Sequence, residues 1–141
     1  MKLSIASILF SGLLIVGALF YEPNLQDTNL LSANMIETVN PNIFSYKNNK
    51  DERIIIDVRT SKEYDDGHIK GARNIDFYSE NFAFDMEELD KSAKYSIYCR
   101  SGNRSGQALV LMESLGFEDV IDLDGGVVAW ERAGETLCTD C

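Results

Sequence analysis

Histidine is all but missing from this chain, with His68 alone among 141 residues, and cysteine occurs three times, at Cys99, Cys138 and Cys141. A zinc centre built on the terminal cysteine pair would need two further ligands, so no metal is expected, and no other cofactor. Basic residues are also scarce. Thirteen Lys and Arg against 23 Asp and Glu leave a net charge of −10, which argues against nucleic-acid backbones and anionic membrane surfaces as partners. Nor is there enough chain for a second folded domain. One compact core, and a monomer, are expected.

Charge is absent altogether from residues 3–21, which follow Lys2. The run reads as an export signal cleaved after Ala18, with small residues Val16 and Ala18 at −3 and −1, or as an uncleaved membrane anchor. It contains no cysteine, which excludes a lipid-modified cysteine at its end. The expected division is a signal or anchor at 1–18, a polar tether at 19–34, the folded domain at 35–137 and a tail at 138–141. The location is then extracytoplasmic, such as the periplasm, where thiols tend to oxidise. Cys138 and Cys141 form a C-x-x-C pair on a tail expected to be mobile. Either they bridge each other and take no part in chemistry, or they form a redox pair that exchanges with Cys99.

What the sequence does contain is an alternation of strand and helix signals. Residues 35–39 suit a short strand, and Asn40 followed by Pro41 is a helix start that runs to the polar stop at Asn48 and Asn49. Residues 53–58, RIIIDV, hold a run of β-branched apolar residues of the kind buried on both faces of a parallel sheet. Thr60 or Ser61 can cap a short helix. Residues 73–76 then suit a strand and 79–91 a covering helix with Phe82, Met86 and Leu89 at helical spacing. A strand ends at Tyr98, a helix ends at Gly116, a last strand covers 120–123, and a final helix at 127–132 carries Trp130 as a core plug. Alternating elements of this kind imply a parallel α/β fold.

The stretch 94–116, KYSIYCRSGNRSGQALVLMESLG, concentrates the chemistry. Cys99 comes at the carboxyl end of a strand and just before a helix, where unpaired backbone N–H groups and the helix dipole favour negative charge. That favours the thiolate, the nucleophilic form. Gly102 allows a tight turn around the sulfur, and Arg100 and Arg104 bring positive charge to an otherwise acidic chain.

Three separated motifs then coincide in order: DVRTxxEYxxGHIxGAxNI at 57–75, CRSGNRS at 99–105 and LDGGVxxW at 123–130. Together they resemble a single-domain rhodanese, over roughly residues 35 to 133. The leader adds a likeness to the small exported rhodaneses of the phage shock protein E type. The resemblance implies a five-stranded parallel sheet flanked by helices on both faces, and a sulfurtransferase whose Cys99 carries a persulfide. It implies that the backbone N–H groups of Arg100, Ser101, Gly102, Asn103, Arg104 and Ser105 bind the sulfur, and that Arg100 and Arg104 hold a small anionic donor such as thiosulfate. The acceptor would be a thiol or cyanide. Asp57, Arg59, Glu63 and His68 match family positions read as structural supports, with an Arg–Glu pair in the turn. Two rival functions stand beside this one, a non-catalytic binding or regulatory module and a cysteine-dependent phosphatase or arsenate reductase. The related phosphatases place five residues between cysteine and arginine, whereas four separate Cys99 from Arg104.

Overall fold

Strands that are apolar on both faces need cover on both sides, and the computed structural model, which describes residues 34–141, provides it. The elements are β1 (Met35–Val39), α1 (Pro41–Asp51), β2 (Ile54–Asp57), α2 (Ser61–Asp65), β3 (Arg73–Asn74), α3 (Phe82–Glu87), β4 (Lys94–Tyr98), α4 (Asn103–Ser114), β5 (Asp119–Leu123) and α5 (Gly126–Arg132). All five strands pair in parallel, in the order β1-β5-β4-β2-β3. The parallel α/β class expected from the sequence is the one found.

Side chains alternate faces along each strand, so β4 feeds two cores. Tyr95, Ile97 and Cys99 pack with Phe82 and Met86 of α3 and Ala108 and Met112 of α4. Tyr98, with Ile121 and Leu123 of β5, packs instead with Phe44 of α1 and with Val127 and Trp130 of α5. Trp130 meets Phe44 edge to face at 6.0 Å. The central strand is thereby fixed from both sides, and its carboxyl end delivers Cys99 to the edge of the sheet where ligands of parallel α/β folds bind.

The local signals act as the sequence implies at most ends. The Asn40 side chain accepts from the Ile43 N–H, with Pro41 in the first turn. Thr60 caps α2 and forms a reciprocal capping box with Glu63. Gly116 adopts φ +84° just past α4. Three elements are shorter than expected, β2 by one residue at each end. β3 bonds only to β2 and covers two residues, while α3 stops at Glu87. Asp76 and Asp90 each turn the chain locally, accepting from the N–H groups of Tyr78 and Ser92, and such bonds compete with helix and strand.

The tail is held to the domain rather than loose. Cys138 pairs with His68 in an antiparallel bridge, Leu137 packs against the α1/α5 core, and Trp130 Nε1 donates to the Thr136 carbonyl at 3.2 Å. The expected signal segment, and the tether up to residue 33, lie outside the described residues. Among the described residues no helix is long and apolar enough to cross a membrane.

Candidate active site

α4 begins without a side-chain cap: its N-cap is Gly102, at φ +93°. That left-handed turn, which glycine adopts without steric cost, bends the chain so that sulfur takes the place of a capping oxygen. Gly102 N–H donates to Cys99 Sγ at 3.1 Å, and the Ser105 hydroxyl donates at 3.4 Å. Cys99 is 1% exposed. Burial alone would push the thiol up, but hydrogen bonds from the Ser105 hydroxyl and the amides of Ser105, Ser101 and Gly102 outweigh it. The net result is a thiol held below its ordinary range. No imidazole takes part, because the ring nitrogens of His68 face the Tyr64 carbonyl and Cys141.

The carbonyl side of the loop is fastened by α5. Val127 N–H donates to the Cys99 carbonyl at 2.9 Å and Val128 N–H to the Arg100 carbonyl at 3.1 Å. This requires Gly126, at φ +56°, to lie directly against the loop, so close that a Cβ there would come within 2.6 Å of the Arg100 carbonyl carbon. Gly125, the left-handed N-cap of α5, and Gly126 after it therefore clamp the Cys99 loop.

Sequence reasoning also missed Asp122. Alternation along β5 places it on the same face as Val120, beneath α4, and it is 2% exposed. One carboxylate oxygen, Oδ1, has no hydrogen-bond partner among the described residues. Burial is the main cause that raises its carboxyl to about 6, opposed by the nearby Ser105 hydroxyl. Ser105 thus stands between a buried carboxyl and the thiol. The available signal was an acidic residue at an inward position of the apolar run VIDL.

The profile of the family described as Rhodanese-like domain matches residues 41–133. The chain belongs to that family. Among relatives of the rhodanese-like domain, the probable adenylyltransferase/sulfurtransferase MoeZ of Mycobacterium tuberculosis is 37% identical over 78 residues, covering 55% of this chain and 20% of MoeZ. The chain thus spans about a fifth of that relative's length. Thiosulfate sulfurtransferase GlpE of Pseudomonas fluorescens is 36% identical over 77 residues, 55% of this chain and 69% of GlpE. A crystal structure of a rhodanese-related protein from Thermoplasma volcanium superposes with a TM-score of 0.65 at 27% identity, covering 74% of this chain and 99% of that one.

Around the loop of this rhodanese-like domain, the charged residues are mostly committed to one another. Arg104 makes a two-pronged ion pair with Glu63, at 2.7 and 2.8 Å. The bond to Arg104 is the largest influence on Glu63 and, with Thr60, lowers its carboxyl to about 2; the same pair raises Arg104. Arg104 is therefore not the free anion-holding cation that the sequence suggested. The expected Arg–Glu pair exists, but its arginine is Arg104. Arg59 binds the fully buried Asp57 through Nε at 3.0 Å and Nη2 at 2.6 Å, and also the Gly67 carbonyl at 2.6 Å. Arg100 is exposed and takes no part in the ion pairs found among the described residues. It lines a cavity of about 300 Å³ beside the loop, together with Arg59, Glu63, Val127 and Leu137. Asn103 lies on the outer side of α4, where its Oδ1 accepts from Gln107 at 3.0 Å, and its side chain has no bond to the sulfur.

Proposed function

We propose that this domain is a sulfurtransferase in which Cys99 takes a sulfane sulfur from thiosulfate, or a similar small anionic donor, and passes it to a thiol or cyanide. The observation that carries this reading is a single thiol, held by backbone amides at the mouth of the central strand and kept below its ordinary pKa. Sulfur transfer as a class of activity is supported by the family and by relatives named as sulfurtransferases.

In the first half-reaction the Cys99 thiolate attacks the outer sulfur of thiosulfate. The donor's S–S bond breaks, and sulfite leaves with its electron pair. An acceptor then attacks the terminal sulfur, and the electron pair of the persulfide bond returns to Cys99 as thiolate. A persulfide projects the reactive sulfur about 2 Å further out. That extension suits a cysteine so deeply buried, because the acceptor need not reach the floor of the loop. The loop amides that stabilise the thiolate equally stabilise the departing Cys99 sulfur in the second step. Arg100, exposed beside the cavity, is the cation we assign to donor binding, while the Arg104–Glu63 pair holds the first turn of α4 against α2. No cofactor is required. The four-residue spacing between Cys99 and Arg104, and the commitment of Arg104 to Glu63, both disfavour a phosphatase, which needs a free arginine on the phosphate. Retention of the activated thiol disfavours a purely binding module.

The uncharged run at residues 3–21 completes the proposal as an export signal or anchor, to be separated by N-terminal sequencing of protein recovered from cells. The catalytic reading is tested by assaying thiosulfate with cyanide beside an aryl phosphate. Thiocyanate should form, and Cys99→Ser should abolish it. Dominant phosphate hydrolysis, or full thiocyanate production by Cys99→Ser, would overturn the proposal.

A further inference from the structure

His68, Cys138 and Cys141 come together although 70 residues separate the histidine from the first cysteine. Backbone hydrogen bonds of 2.9 Å run both ways between His68 and Cys138, and Cys138 and Cys141 are joined as a disulfide. His68 is 5% exposed and stacks on Tyr64 at 3.8 Å. Its Nδ1 lies 3.0 Å from the Tyr64 carbonyl, which can only accept, so Nδ1 carries the proton and Nε2 presents a lone pair. That lone pair is 3.9 Å from Cys141 Sγ, and the three donor atoms all lie within 4.8 Å of one another.

We infer that in the reduced protein these three side chains bind one thiophilic d10 metal ion, Zn²⁺ or Cu⁺. Two thiolates and an imidazole are the donors such ions select. At zinc bond lengths, neighbouring ligand atoms of a tetrahedral site lie about 3.5–3.8 Å apart. The Nε2–Sγ separation is already close to that, and the exposed Cys141 is free to adjust. The proton on Nδ1 held by a backbone carbonyl is the outer support that metal-bound histidines usually have. From sequence, the cysteine pair lacked two ligands. The fold supplies one, leaving a three-coordinate site for Cu⁺ or an open fourth position for water on Zn²⁺.

Disulfide and ion exclude each other. A dithiol reductant delivers two electrons and two protons to the Cys138–Cys141 bond and is itself converted to a disulfide. The ion then displaces the two thiol protons. Oxidation by a disulfide reagent reverses the sequence and expels the ion. Because Leu137 lines the cavity that holds Arg100, occupancy would also fix one wall of that cavity.

The test uses the full chain in a Cys99→Ser background, so that the loop thiol cannot contribute. Reduced protein is titrated anaerobically with Zn²⁺ against a chromophoric chelator. One ion per chain is expected, lost in the Cys138→Ser, Cys141→Ser double variant and weakened at least about tenfold in His68→Gln. Zinc should raise the melting temperature of the reduced protein but not of the double variant, and diamide should release the ion. No stoichiometric binding, or unchanged affinity in His68→Gln, would overturn the inference. If His68→Gln does not fold, zinc-edge X-ray absorption of the parent decides. Two sulfurs and a nitrogen in the coordination shell support the site, and a shell without nitrogen rejects it.

Discussion

The two sulfur sites of this chain are built on opposite plans. Cys99 is held by its own loop: the groups that stabilise its thiolate come from residues 101–105, a few positions along the chain, and most are backbone amides. Cys138 and Cys141 depend on a distant partner, His68, reached only because the tail folds back to form a two-residue bridge. A site made from adjacent backbone is rigid and is written in the local sequence. One made by docking a tail is conditional on that docking and on redox state, and local sequence does not show it.

Changes confined to the loop should therefore leave the tail unaffected. Gly126→Ala forces a side chain against the Arg100 carbonyl at a positive φ, and should destabilise the fold by about 2–4 kcal/mol. Sulfur loading should fall while the Cys138–Cys141 disulfide remains intact by mass. A Gly126→Ala protein with parental stability in urea would show that α5 does not clamp the loop.

Asp122→Asn works in the opposite direction. The Asp122 carboxyl is raised to about 6 in the fold, above its ordinary value of 3.8. Both states are protonated below about pH 4, so the group then has no effect on stability. As pH rises through the window from 3.8 to 6, the unfolded chain ionises first and the fold loses up to about 3 kcal/mol. Asparagine should recover much of this above pH 6 and nothing below pH 4, measured as denaturation midpoints across pH. A uniform effect at all pH values would mean that Asp122 acts through packing alone.

Glu63→Gln should cost less, about 1–2 kcal/mol at neutral pH, since the pair is partly open to solvent. With the Glu63 carboxyl lowered to about 2 from 4.5, its stabilisation is present above pH 4.5 and fades as pH falls toward 2. The difference between parent and variant should shrink over that window. The last variant, Ser105→Ala, removes one donor from the sulfur and should move the pH midpoint of Cys99 alkylation upward. An unchanged midpoint would assign thiolate stabilisation to the amides alone.

Much of the fold was legible because its signals are local. The β-branched run around Ile54–Asp57, the Asn40-Pro41 start and the Gly116 stop each act through neighbours within four residues, and each lies where the sequence placed it. The Cys99 loop was legible for the same reason. Partnerships across the sheet were not. The sequence paired Glu63 with an arginine of its own turn, and only the packing of α2 on the start of α4 gives it Arg104 instead. The contact of Gly126 with the loop depends on the β4–β5 register, which no local pattern specifies. The His68 site requires knowing where the last eight residues go, and Leu137 and Trp130 direct them through tertiary contacts.

The central claim is that Cys99 carries the transferred sulfur. Its most direct test is mass spectrometry of the full chain, digested under non-reducing conditions after treatment with thiosulfate. One added sulfur atom should appear on the peptide containing Cys99, disappear on addition of cyanide, and be absent from the peptide containing Cys138 and Cys141. Sulfur found on the tail cysteines, with Cys99 unmodified, would contradict the account.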